Sequence, residues 1–206
     1  MNNRLKRWEL ALMVGVVGAL LWSGWAGRAQ RELSDSVIRL HVIANSDSER
    51  DQTLKLAVRD RVLARAETLY PEGATREEAG AALAAHLDEL AAAGQQVVAE
   101  AGLDYPVSAQ LTRSWFPTKE YGDFALPAGD YTALKVTIGA GEGQNWWCVA
   151  FPPLCLGAAS ETVDQATQAG HFSGEQAALI TREDPGYVLK FKSLELLGQL
   201  QGLFDR

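Results

Sequence analysis

The sequence has few of the residues on which metal proteins and many enzymes depend. It contains two cysteines and three histidines in 206 residues. The histidines, His41, His86 and His171, are far apart, and none stands at metal-ligand spacing with a cysteine or a carboxylate. We therefore expect no metal and no cofactor unless the fold itself assembles a site, and interpret each histidine as structural or surface-exposed.

The sequence also lacks a recognisable catalytic or nucleotide-binding motif. The loop Gly139–Gly143 reads G-x-G-x-G with a glutamate inside it. The dinucleotide fingerprint needs G-x-G-x-x-G at the start of a helix, whereas a strand follows here. We interpret the loop as a flexible hairpin connection. The adjacent acidic pairs look like solvated charges, so no catalytic residue is expected: Glu77-Glu78, Asp88-Glu89 and Glu183-Asp184.

The two cysteines leave alternatives open. Cys148 lies within a predicted strand and not at a helix N-terminus that would lower its thiol pKa, which disfavours a nucleophilic role. The residues Phe151–Leu154 form a turn that would bring Cys155 back toward Cys148. In an exported protein this pattern fits a possible disulfide between Cys148 and Cys155, and two buried free thiols are the alternative.

Positive charge is scarce as well. The chain has 19 Lys and Arg against 26 Asp and Glu, a net charge of −7. Removal of residues 1–29 would make that charge still more negative. A surface this acidic repels phosphate backbones and anionic headgroups. We therefore exclude nucleic acid as a partner and expect membrane contact only through the N-terminal segment.

The chain has a single long apolar run, Leu10–Trp22, which follows three basic residues. A run of about 13 residues fits the core of a signal peptide, while a membrane-spanning helix needs roughly 20. Gly27 and Ala29 stand at the small-x-small spacing that signal peptidase recognises. We predict export, with residues 1–29 as a signal peptide or an uncleaved signal anchor and residues 30–206 as a single domain.

The hydrophobic pattern predicts an α+β fold. Strands are predicted at Val37–Ala44, Val107–Trp115, Tyr131–Ile138, Trp146–Phe151 and Tyr187–Lys192. Helices are predicted at Glu49–Tyr70, from Thr75 to Ala101, near Glu175–Thr181 and at Ser193–Phe204. The strands at 131–138 and 146–151 are expected to pair as a hairpin. The order predicts helices packed on one face of a mostly antiparallel sheet.

Aromatic residues crowd into the segment from Trp115 to Trp147. Neighbouring residues of a strand point to opposite faces of a sheet, so Trp146 and Trp147 do not enter the same core. One of them needs a second buried environment, for example beneath the loop Pro117–Gly129, or a partner. The candidates for a partner-binding surface are Phe116, Lys119, Tyr121, Asn145, Trp146 and Trp147.

Three segments resemble the stage II sporulation protein R family of spore-forming bacteria. They are Ile38–Gln52, which begins IRLHVIANSDS, Phe116–Gly122, which reads FPTKEYG, and Leu126–Cys155, which contains NWWCV. The region Phe191–Leu197 is a weaker fourth match. The asparagine–tryptophan–tryptophan–cysteine block is very specific, and the resemblance spans nearly the whole chain.

The resemblance implies a function that composition does not reveal. Proteins of this family are made in the forespore and exported into the space between its membrane and that of the mother cell. There they trigger a membrane-embedded aspartic protease of the mother cell, which cleaves the precursor of sigma-E. The implied role is a signal and not an enzyme. Two other classes stay open, an exported cysteine-dependent hydrolase and a membrane-anchored septal scaffold.

Overall fold

The computed structural model describes residues 7–121, 124–154 and 159–181. The helices of this part are α1 (Arg7–Ser34), α2 (Glu49–Glu67), α3 (Arg76–Ala85), α4 (Leu87–Glu100), α5 (Ala159–Gln168) and α6 (Gly174–Ile180). The strands are β1 (Ile38–Ile43), β2 (Val107–Phe116), β3 (Lys119–Tyr121), β4 (Phe124–Leu126), β5 (Gly129–Ile138) and β6 (Asn145–Phe151). The predicted strand Tyr187–Lys192 and helix Ser193–Phe204 lie outside the described residues.

Four strands form the main sheet, in the order β2-β5-β1-β6. The pairs β2–β5 and β1–β6 are antiparallel, and β1–β5 is parallel. In the centre, Leu40 of β1 is opposite Leu134 of β5 on one side and Cys148 of β6 on the other. The predicted α+β class with a mostly antiparallel sheet is confirmed.

The prediction that β5 and β6 pair as a hairpin is wrong, because β1 lies between them. The connection Gly139–Gly143 therefore crosses the end of β1. The Gly143 N–H donates to the carbonyl of Ala44 over 2.9 Å, and a side chain at this glycine would place its Cβ 2.2 Å from the carbonyl oxygen of Ser46. The glycine-rich composition serves this close crossing of two backbones and not a hairpin turn.

The turn between β1 and α2 is built by its own polar side chains. The Asp51 carboxylate accepts hydrogen bonds from Asn45 Nδ2 at 2.9 Å and from Ser46 Oγ at 2.6 Å. These hydrogen bonds lower the pKa of Asp51. The Ser48 hydroxyl caps α2 by accepting from the Asp51 N–H, and Asn45 Oδ1 accepts from the N–H of Ala140 in the crossing loop. The asparagine–serine motif thus joins β1, α2 and the crossing loop.

The helices α2, α3 and α4 cover one face of the sheet and bury its larger core. The helix predicted from Thr75 to Ala101 is in fact two helices that meet at His86. The Nδ1–H of His86 donates to the carbonyl of Ala82 over 2.8 Å. The His86 backbone N–H donates instead to the carbonyl of Leu83 over 3.2 Å. Because the imidazole occupies the carbonyl that would continue the helix, the chain changes direction there.

The opposite face of the sheet carries a second hydrophobic cluster. Phe124 and Leu126 from the β3–β4 hairpin, Val163 from α5 and Ile180 from α6 are fully buried in it. The hairpin lies in the stretch predicted as a loop, and α5 was not predicted. The short helix predicted near Glu175–Thr181 is confirmed as α6.

The two ends of α1 have different surroundings. Apolar side chains between Leu10 and Val17 are exposed, whereas Leu33 is fully buried in the second cluster. The side-chain amide of Gln30 donates to the carbonyl of Ala128. Among the helices of the described residues, none is long and apolar enough to span a membrane.

Candidate partner-binding site

A cleft of about 540 Å³ opens between α2, β3 and β6. Five of the six predicted partner-binding residues line it: Lys119, Tyr121, Asn145, Trp146 and Trp147. The sixth, Phe116, lies behind the wall and is fully buried. A larger hollow of about 650 Å³ beside α2 and α4 has no aromatic residue in its lining, so the smaller cleft is the better candidate.

Trp146 and Trp147 face opposite sides of the sheet, as predicted. Trp146 packs against the larger core, and the Arg59 guanidinium lies 4.5 Å from its ring centre. Trp147 belongs to the second cluster, where its ring stacks on His41 at 3.9 Å and meets Phe116 edge-on at 4.7 Å. Both indoles are half-buried. Each therefore has a packed side and contributes to the cleft wall as well.

Arg39 of β1 is fully buried behind the cleft. Its Nε donates to the carbonyl of Cys148 over 3.0 Å, and its Nη2 donates to the hydroxyl of Tyr121 over 2.7 Å. The guanidinium carbon lies 4.5 Å from the ring centre of Phe116 and 5.0 Å from that of Tyr131. Nη1 has no hydrogen-bond partner among the described residues. Sequence reasoning missed this residue, although an arginine between apolar neighbours in a buried strand was a signal.

The Tyr121 hydroxyl connects three strands. It accepts from Arg39 of β1 and donates to the carbonyl of Trp147 in β6 over 3.1 Å, while its own backbone belongs to β3. Burial raises the pKa of Tyr121, and the nearby arginine opposes that rise in part. The hydroxyl therefore stays protonated and able to donate. We call the group of Arg39, Tyr121 and Trp147 the tyrosine latch, because it fixes the β3–β4 hairpin against β6.

His41 supports the same wall from below. Its Nε2–H donates to the Asn145 side-chain oxygen over 2.7 Å, and its ring stacks on Trp147. Burial lowers the pKa of His41 more than the hydrogen bond to Asn145 raises it. The structural role expected for His41 thus includes positioning two of the predicted partner-binding residues.

Lys55 lines the cleft although only 4% of its surface is exposed. Its Nζ donates to Gln52 Oε1 over 2.6 Å and to the carbonyl of Gln144 over 3.0 Å. Burial lowers its pKa. Sequence reasoning missed this residue too, because Lys55 lies beside the apolar stripe of α2 and not on it.

Cys148 is disulfide-bonded and only 3% exposed. A sulfur held in this way is not a nucleophilic thiolate, which argues against the cysteine hydrolase hypothesis. Cys155 lies outside the described residues, so its pairing with Cys148 stays a prediction. Within the described ranges, no group of three His, Cys, Asp or Glu side chains is placed to hold a metal ion.

Comparison with known proteins identifies the family. A sequence model for stage II sporulation protein R matches residues 34–161. The stage II sporulation protein R of Bacillus subtilis (strain 168) is 41% identical over 124 residues, which cover 60% of this chain and 55% of that protein. The match thus spans only about half the length of that relative. No solved structure matches. Because the family model covers more than half of the chain, this protein belongs to the stage II sporulation protein R family.

Proposed function

We propose that this protein is an exported sporulation signal that activates a membrane-embedded aspartic protease of the mother cell. The protease would then cleave the inactive precursor of sigma-E. Membership of a sporulation family supports this role. In this proposed role the protein is a ligand of an enzyme and not an enzyme itself.

One observation carries the proposal. The three segments that resemble the family are far apart in sequence, yet each contributes to the wall of the same cleft. Residues 38–52 supply Glu49 and Gln52, residues 116–122 supply Lys119 and Tyr121, and residues 126–155 supply the stretch 144–147. A surface assembled from all three segments is a suitable place for the partner to bind.

Activation by this cleft requires differential binding. A ligand shifts an equilibrium between inactive and active protease only by binding the active form more tightly. Half-buried aromatic side chains supported by a rigid wall are typical anchors for such binding. Trp147 meets this description, because His41 and Phe116 fix its ring from behind.

The proposed site of action is the space between the forespore and mother-cell membranes. The basic start and the apolar run of the sequence support export. Mass spectrometry of the exported protein should find an N-terminus near Gln30, or near Gly27 if an earlier site is used. An intact Met1 in the membrane fraction would instead support the anchored septal scaffold.

The proposed function is tested by co-expressing the protease and the sigma-E precursor with and without this protein. Cleavage should depend on its presence. Trp147→Ala should strongly reduce cleavage, since loss of a central aromatic anchor costs about 2 kcal/mol or more of binding free energy. Trp115→Ala is the matched control, because Trp115 is 52% exposed and lies outside the cleft.

Thermal melts of both variants separate lost binding from lost folding. If Trp147→Ala melts like the wild type and fails to trigger cleavage, the cleft binds the partner. If it signals normally while folded, the partner contacts another surface. Cleavage that proceeds without any form of this protein would contradict the proposed function itself.

A further inference from the structure

The ammonium group of Lys55, which lines the cleft, has fewer hydrogen-bond acceptors among the described residues than it has N–H donors. An ammonium group has three N–H donors. Two of them have acceptors, Gln52 Oε1 at 2.6 Å and the Gln144 carbonyl at 3.0 Å. Both acceptors are neutral groups, and Lys55 makes no ion pair with any carboxylate of the described residues.

Such a lysine is costly for the fold. Burial of an ammonium group costs solvation free energy, and neutral acceptors recover only part of that cost. The lowered pKa of Lys55 expresses the same cost. Asp47 offsets the cost from a distance, while Arg59 adds to it. A carboxylate placed beside the ammonium group would offset the remaining cost.

Trp146 also lines the cleft, and its buried indole N–H has no hydrogen-bond partner among the described residues. Lys119 contributes a second ammonium group from β3. Glu49 and Glu120 also line the cleft, so its formal charge is balanced. Net charge therefore favours no particular ligand, whereas the burial of Lys55 and its third N–H, which has no acceptor among the described residues, favour a carboxylate.

We infer that the cleft binds a carboxylate side chain of the partner and that Lys55 is the residue that binds it. This inference rests on the proposed function and deepens it, because it names the chemistry by which the protease is recognised. The occupant is an aspartate or glutamate on the surface that the protease presents to this protein. Gln52 and the Gln144 carbonyl hold the ammonium group in place before the partner arrives, which lowers the entropic cost of binding.

The first test is Lys55→Met, which keeps the length of the side chain and removes its charge. Melting temperature should stay unchanged or rise, because a buried charge without a counter-ion is lost. Affinity for the detergent-solubilised protease should fall roughly thirtyfold or more, as expected when one member of a buried charge pair is removed. Cleavage of the sigma-E precursor should fall with it.

Lys135→Met is the matched control. It removes the same charge from β5, outside the residues that line the cleft, and should leave affinity and cleavage unchanged. If Lys55→Met binds and signals like the wild type, the inference is overturned while the proposed function stands. If it loses stability and affinity together, the lysine is structural and the inference is again overturned. If the wild type itself triggers no cleavage, the proposed function fails.

A second measurement uses the unmodified protein. A water-soluble carbodiimide activates carboxylates and joins them to amines in direct contact, with no spacer. Treatment of the complex with the protease should give an isopeptide bond between Lys55 and an aspartate or glutamate of the protease, detected by mass spectrometry. Crosslinks through Lys119 or Lys135 alone would overturn the assignment.

Discussion

Arg39 brings a positive charge into the interior of the protein, and no carboxylate of the described residues pairs with it. Two kinds of contact compensate. The rings of Phe116 and Tyr131 stabilise the guanidinium through their negative faces, and the Tyr121 hydroxyl and a β6 carbonyl accept hydrogen bonds from it. This arginine is therefore interpreted as a connector of strands, in contrast to Lys55.

Tyr121→Phe tests the tyrosine latch. Loss of the hydroxyl leaves Nη2 of Arg39 buried without an acceptor, so stability should fall by about 1–3 kcal/mol. Tyr70→Phe is the matched control, because that hydroxyl also donates to a β6 carbonyl, Ala150, over 3.2 Å but accepts no hydrogen bond from an arginine of the described residues. Its loss should cost about 0.5–1.5 kcal/mol. Urea denaturation measures both, and equal losses would contradict the special role of the latch.

His41 makes stability depend on pH. Its folded-state pKa lies below the ordinary value of 6.5, so protonation favours the unfolded chain. The stabilisation is complete above that value and is lost as the pH falls through the folded-state pKa. In His41→Gln the loss of stability between about pH 7.5 and about pH 5.5 should be smaller than in the wild type. Urea denaturation at both pH values measures the free energy of unfolding. An equal loss in the wild type and the variant would show that His41 does not titrate as described.

At the level of elements, the glycine loop crosses the β1–α2 turn so closely that Gly143 has no room for a side chain. Gly143→Ala would drive a methyl group into the Ser46 carbonyl, so we expect the free energy of unfolding to fall by about 1–3 kcal/mol.

Gly80→Ala in α3 should instead raise the free energy of unfolding. Its new methyl group would lie 3.6 Å from Ile38 Cδ1, an ordinary contact, and alanine favours a helix by about 0.5–1 kcal/mol. Thermal melts of the two variants should shift in opposite directions.

The sequence predicts local elements better than their pairing. The helix α2 and the strands β1, β2, β5 and β6 follow from periodicity and capping, which depend on neighbouring residues. Pairing of β1 between β5 and β6 depends on contacts between distant segments, which no local pattern records. The β3–β4 hairpin escaped prediction because its two strands have three residues each, which is too short for an alternating pattern to stand out.

The opposite orientation of Trp146 and Trp147 could be predicted from the sequence, whereas the burial of Lys55 and Arg39 could not. Adjacent tryptophans on a strand must face opposite sides, a rule that holds without knowledge of the fold. The burial of Lys55 and Arg39 depends on what lies across from them, namely Gln144 and Tyr121. Those contacts form only when the sheet is complete.

For the molecule as a whole, the sheet separates two hydrophobic clusters, and α1 belongs to the second through Leu33. A variant that begins at Gln30 should melt close to the full chain, because the apolar side chains of Leu10 and Val17 are exposed. Within that variant, Leu33→Ala should cost about 2–5 kcal/mol. Calorimetry measures both, and a large loss on removal of residues 1–29 alone would show that the folded unit begins earlier.

The central place of β1 has a consequence for how the protein reaches its destination. A ribosome delivers β1 first, but both of its neighbours follow only after α2, α3, α4 and β2 have been made. A fold dominated by such distant pairings has high contact order and closes slowly. The main sheet therefore cannot be completed until residue 151 is available. On the route of export that we propose, this late completion would leave the chain open to threading through a translocation channel.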